Sequence, residues 1–127
     1  MNKPQDPKAA QTVKTTSAPA VDVPRLVRKY PWLRIESQYG ENIACGGIFP
    51  SNEIYEGQRW QGSSGIVVTV TALRDIEDAG TVIDREIHYS WMQGETPMSH
   101  DKLAFAFQCR YCLILPNTKD MPPAGSA

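Results

Sequence analysis

The residues of this chain best suited to chemistry are its sulfur and imidazole groups. Cys109-Arg110-Tyr111-Cys112 forms a C-x-x-C, and Cys45, His88 and His100 are the side chains available to complete a four-ligand zinc site with it. The spacing speaks against that site. On a strand, residues three apart face opposite sides, so the two thiolates diverge unless a bulge or turn intervenes. Strong zinc sites pair two such motifs, and here a single one is embedded in the apolar run LAFAFQCRYCLIL. The weak metal candidates Cys45, Cys109 and Cys112 are therefore expected to act as small hydrophobes of the core, with no metal and no cofactor. A thioredoxin-type role is weaker still, because it needs the first cysteine at a helix N-terminus.

Hydrolytic and phosphate chemistry find no better support. His88 beside Glu86 has the residue types of a general base, yet no Ser or Cys nucleophile is tied to it by a local motif. His100-Asp101 has the same status. Gly46-Gly47 lacks the Lys-Ser/Thr ending of a phosphate loop, and Gly62-Ser63-Ser64-Gly65 reads as a hairpin turn with no helix after it. The carboxylates Asp75, Glu77 and Asp78 are expected in a solvated loop. The chain is expected not to be an enzyme.

A binding role draws on other residues. Arg25, Arg28, Lys29 and Arg34 are interleaved with Tyr30 and Trp32, a mixture that suits phosphate contact plus base stacking. The competing reading docks Trp32 and Leu33 on the body as a lid and leaves the charges in water. Trp60, Tyr89 and Trp91 are further aromatic candidates, for a groove that takes peptide or nucleic acid. Charge sharpens the choice. Residues 1–35 carry seven cations against two carboxylates, +5, whereas residues 36–127 carry six against twelve, −6. An acidic body disfavours broad nucleic-acid binding and suits a protein partner.

The elements that position these residues follow from punctuation. Eight of the ten prolines lie outside residues 32–115, and eight of the nine glycines lie between Gly40 and Gly94, so strands and tight turns are expected inside and open chain outside. The period within the body is two. Ile66, Val68 and Val70 share one face of GIVVTVTAL, and Ile83, Ile87, Tyr89 and Trp91 share one face of VIDREIHYSWM. The stretches 61–65, 74–81 and 93–99 read as connections of hairpin length. Pro24 suits the start of a helix that Pro31 must stop within two turns. Residues 99–115 fit either one long strand or, as preferred here, a strand ending near Lys102, a helical turn over Leu103–Gln108 and a last strand from Arg110 to Leu115.

The run GQRW…SSGIVVTVTAL…IHYSW…HDKLAFAFQCRYCLI resembles small Src-homology-like (SH3-like) β-barrel accessory proteins of phages, prophages and mobile elements. The resemblance rests on Gly57, Trp60, Gly65–Val70, Tyr89, Trp91, Leu103, Phe107, Arg110 and Tyr111, and covers residues 55–115. It implies a fold and a mobile-element origin, and it carries no catalytic residues.

Together these readings predict an all-β chain of 127 residues. A small five-stranded SH3-like antiparallel barrel over residues 24–116 has an N-terminal extension at 24–54 and flexible tails at 1–23 and 117–127. The expected function is that of a non-enzymatic adaptor or inhibitor that binds a host or element protein, as monomer or homodimer. The alternative is a barrel that binds nucleic acid or a nucleotide through residues 25–34. No apolar run reaches the ~20 residues of a membrane span, and the first twenty residues lack a secretory signal, so the expected compartment is the cytoplasm.

Overall fold

The computed structural model describes residues 21–116; of the tails expected at 1–23 and 117–127, residues 1–20 and 117–127 lie outside the described residues. The first element is a two-turn helix, α1 (Val23–Lys29). Asp22 caps it by accepting the Arg25 N–H at 3.1 Å, and Pro24 sits in its first turn. Tyr30 is extended because Pro31 follows it, which ends the helix where expected. Val23 and Leu26 face the core, so the ordered body begins before residue 24.

Strands β1 (Arg34–Gln38) and β2 (Glu41–Cys45) form a hairpin, and a 3-10 turn follows at Ser51–Glu53. Next come β3 (Arg59–Gly62), a turn at Ser63–Gly65, β4 (Val67–Asp78), β5 (Thr81–Gln93) and β6 (Thr96–Leu103). Helix α2 (Ala104–Arg110) then re-aims the chain into β7 (Tyr111–Leu115), which agrees with the preferred reading of residues 99–115. The described residues are thus mostly strand.

All seven strands join one curled antiparallel half-barrel sheet in the order β1-β2-β7-β3-β4-β5-β6. Seven strands replace the expected five because of the β1–β2 hairpin, and β6 is also longer than expected. The extension at 24–54 supplies the β1–β2 hairpin, and residues 96–99, expected as connection, begin β6. Residues 74–78 likewise continue β4, so Asp75, Glu77 and Asp78 lie on a strand, with the turn confined to Ala79-Gly80. Asp75 meets Arg85 across the ladder at 2.9 Å. A bulge between Val70 and Ala72 lets Val70 and Leu73 both turn inward, so β4 keeps its apolar side on the core as the sheet curls.

Trp60, Tyr89, Phe107, Ile54, Ile87 and Leu113 are fully buried at the centre of this core. Gln108 of α2 accepts the Phe49 N–H at 2.9 Å and donates to the Phe49 carbonyl at 2.8 Å, which pins the loop after β2 to the far end of the chain. Among the described residues no helix is long and apolar enough to cross a membrane.

The loop after β2 also imposes a backbone demand. Gly46 has φ +115°, and a methyl group there would overlap the Trp32 carbonyl oxygen, whereas Gly80, at φ +82°, faces open space. Gly46→Ala should therefore cost on the order of 3 kcal/mol, strain plus overlap, and Gly80→Ala about 1 kcal/mol of strain alone. Urea titrations of the two variants, compared at equal m-value, measure the difference.

Candidate binding face

The basic-aromatic segment is largely committed to the fold. Its aromatic rings pack on Phe49: Tyr30 edge-on at 5.3 Å between centroids and Trp32 tilted at 5.0 Å. Trp32 also lies against Gly47, where a Cβ would come within 2.8 Å of the indole. Tyr30 is buried and Trp32 half-buried, which is the lid arrangement rather than a pair of open stacking faces. Arg34 pairs with Glu36 at 2.9 Å on the exposed surface. Arg28 and Lys29 remain exposed in the last turn of α1, with the Lys29 ammonium 5.8 Å from the Tyr30 ring centre.

Arg25 has a different partner, which the sequence did not reveal. Its guanidinium grips the buried Glu53 carboxylate through two nitrogens, at 2.5 and 3.2 Å, and the Tyr30 hydroxyl donates to the same carboxylate at 2.6 Å. Glu53 lies in a 3-10 turn with no local pattern to announce it, 28 residues from Arg25. Arg25 foremost, and then the Tyr30 hydroxyl, hold the Glu53 carboxyl below its usual range against the opposing effect of burial. Burial, followed by the bond to Glu53, pushes the Tyr30 phenol up to about 12. A cavity of about 300 Å³ opens beside this cluster, lined by Arg25, Leu26, Glu53, Tyr55, Gln58 and Leu113 among others. Gln58 on its wall donates to the Glu53 carbonyl at 3.0 Å and accepts from Tyr55 N–H and Trp60 Nε1. The cluster fastens α1 to the sheet.

The other aromatic candidates gather on the concave side of the sheet. Trp60 and Tyr89 are buried and belong to the core, not to a surface groove. Tyr89 packs on Phe107 at 5.0 Å and Tyr111 at 5.4 Å, and it stacks at 5.8 Å on Trp91. Trp91 is half-buried, and its cross-strand partner is Met98, also half-buried. The exposed His100 lies 6.0 Å from the Tyr89 ring on the same face. On the convex face, Met92 and its cross-strand partner Pro97 are both exposed. The rim formed by the start of β6 thus carries apolar side chains on both faces.

That rim is also a free edge. Among the described residues, β1 and β6 end the sheet, each paired on one side only. β1 is short, and its charged Arg34 and Glu36 guard it. β6 has eight residues, and Thr96–Ser99 carry no charge. The two-residue turn Gly94-Glu95 makes Gln93↔Thr96 a hydrogen-bonded pair, so alternate pairs down the ladder leave the peptide groups of Pro97, Ser99 and Asp101 facing outward. Pro97, which has no N–H, fits that register.

The remaining groups singled out by sequence are dispersed. His88 bonds Glu86 at 2.7 Å, and Arg74 clamps the same carboxylate at 3.0 and 3.1 Å on the convex face. Cys109 is exposed on α2, contrary to its expected place in the core, while Cys45 and Cys112 are half-buried on β2 and β7. Among the described residues no three His, Cys, Asp or Glu side chains gather as a metal site.

The Glu53 cluster predicts a pH signature. Its folded carboxyl titrates below the unfolded one, so its contribution is complete above the ordinary carboxylate value of 4.5 and is lost as pH falls through the folded value. Tyr30 acts in the opposite sense: its contribution is complete below 10.0 and is lost as pH rises toward about 12. Glu53→Gln should cost about 2 kcal/mol at neutral pH and flatten the acid limb of stability against pH. That figure is set below the cost for a fully buried pair because the Arg25 side chain is 39% exposed. Chemical denaturation from acid to neutral pH measures both effects. Comparison of the chain with family models, with curated proteins and with solved structures found no match.

Proposed function

We propose that this chain is a non-enzymatic binding protein that takes an extended segment of a protein partner along the outer edge of β6. The observation that carries this reading is the edge at Thr96–Ser99, unpaired among the described residues, with Trp91 and Met98 on one face and Met92 and Pro97 on the other. An added strand gains affinity from main-chain hydrogen bonds and selectivity from alternate side-chain contacts on the two faces. The outward peptide groups of Ser99 and Asp101 would supply the former, and the apolar rim the latter.

The finer fold assignment belongs to the same proposal. Strands β3 to β7 with α2 before the last strand, residues 59–115, form the five-stranded SH3-like unit, and β1–β2 is an addition beside β7. The pattern resemblance to accessory proteins of phages and mobile elements supports a partner from the host or the element. A nucleic-acid role through residues 25–34 has less support, since Arg25, Tyr30, Trp32 and Arg34 all have partners within the chain.

Ser99→Pro tests the edge. It deletes one outward N–H and leaves the β5 ladder intact, so the fold should survive while strand addition fails. Immobilised wild-type chain should retain a stoichiometric protein from nuclease-treated bacterial lysate, Ser99→Pro at least about tenfold less, and Ser99→Ala an unchanged amount. Equal retention by folded Ser99→Pro, or retention of nucleic acid alone, would refute the proposal.

A further inference from the structure

The C-x-x-C spacing directs attention to Cys109 and Cys112, but the sheet pairs Cys112 with a different thiol. The β2–β7 ladder runs antiparallel with Asn42 opposite Leu115 and Ile43 opposite Ile114. Each step forward on β2 is one step back on β7, and both strands continue unbroken to Cys45 and Cys112. Continued two residues past the last recorded pair, that register would bring Cys45 opposite Cys112 with both side chains on one face of the sheet, and both cysteines line one cleft. Directly opposed residues of an antiparallel pair have Cα atoms about 4.5–5.5 Å apart, inside the span a disulfide bridges. Cys109 sits on α2 and faces solvent.

Reagents can reach the pair. Cys45 and Cys112 both line a cleft of about 120 Å³, together with Gly46, Gly47 and Tyr111 among others. Neither thiol has any other cysteine opposite it in the ladder, since Cys45 meets Arg34 on its other side and Cys112 meets Gln61.

We propose that Cys45 and Cys112 form a dithiol modification site, closed to a cross-strand disulfide by exchange with a low-molecular-weight disulfide. In the first step one protein thiolate attacks the small disulfide, its S–S bond breaks, and one small thiolate leaves and takes up the proton that the attacking thiol released. In the second step the other protein thiol, deprotonated, attacks the mixed disulfide and expels the second small thiolate, which is protonated in turn. The protein loses two hydrogens and two electrons, and the small disulfide is reduced to two thiols.

Closure would staple β2 to β7 beyond their two paired residues and so lock the β1–β2 hairpin and its loop to the centre of the sheet. In this proposal Cys45 and Cys112, expected as small hydrophobes of the core, supply a reversible covalent tie. Desolvation dominates at both thiols, pushing Cys45 up to about 11 and raising Cys112 as well. Exchange is therefore slow at neutral pH and accelerates about tenfold per pH unit in mildly alkaline solution.

The full reduced chain, incubated with oxidised glutathione and digested with trypsin without reduction, gives a direct answer. Cleavage after Arg34, Arg59, Lys102, Arg110 and Lys119 places the three cysteines in separate peptides: Cys45 in 35–59, Cys109 in 103–110 and Cys112 in 111–119. The expected product links 35–59 to 111–119, forms unchanged in Cys109→Ser, and is absent in Cys45→Ser. Its thermal midpoint should exceed that of the reduced chain by on the order of 10 °C. A link through 103–110, or glutathione retained as a stable mixed disulfide on Cys45 or Cys112, would overturn the proposal.

Discussion

The last strand of the described chain is the middle strand of the sheet, and the rest of the structure depends on that placement. β7 lies between β2 and β3, so neither the β1–β2 hairpin nor the β3–β6 meander is complete until residues 111–115 arrive. Leu113 pairs with Trp60 on one side, while Ile114 pairs with Ile43 on the other, and all four side chains are buried. α2 makes the closure geometrically possible. It turns the chain from the outer edge at Leu103 back to the centre, with Phe107 packed against Trp60 and Tyr89 as it does so. Such non-local pairing costs loop-closure entropy before it yields contacts, which places this fold among the slower-forming small domains.

The same closure fixes where the molecule is shut and where it stays open. Around β7, the Gln108 bonds to Phe49 and the Glu53–Arg25–Tyr30 cluster fasten α1, the loop after β2 and α2 onto one core. At the other end the sheet curls without meeting itself. Two edges result, and they differ chemically: β1 is short and charged, β6 is longer, with an uncharged, apolar-flanked start. A free edge of that kind invites another strand unless something protects it, and the protection on β6 is confined to Pro97 and the charges from Asp101 onward.

Much of this was legible in the residues, and the failures have physical causes. The β4–β5 and β5–β6 hairpins, the stop at Pro31 and the helical turn before the last strand all follow from period and punctuation. The β1–β2 hairpin did not, because its turn is Tyr39-Gly40, with Tyr39 itself at φ +52°, and not the Asn-Gly or Asp-Gly signal that marks such turns. Its outer strand also lacks apolar alternation, since Arg34, Glu36 and Gln38 point one way and Ile35 is 40% exposed. Ala79-Gly80 hid the length of the β4–β5 hairpin in the same manner. Alternation groups Tyr89 with Trp91 on one face but gives no depth along the strand: Tyr89 is buried at the centre, Trp91 half-buried near the rim and Ile83 exposed beyond the core. The Glu53 cluster and the shared cleft of Cys45 and Cys112 arise only from tertiary structure, which no local window contains.

What unites these features is a half-barrel that closes tightly around β7 and leaves the β6 edge unpaired among the described residues, the edge proposed to accept a strand. Amide hydrogen exchange at Ser99 and Asp101 tests that claim most directly. In the free chain both amides should exchange rapidly, while their ladder-bonded neighbours Met98 and His100 are protected. In the complex with the retained partner, Ser99 and Asp101 should become protected as well. Exchange that stays equally fast in the complex, with new protection appearing on α1 instead, would contradict the account.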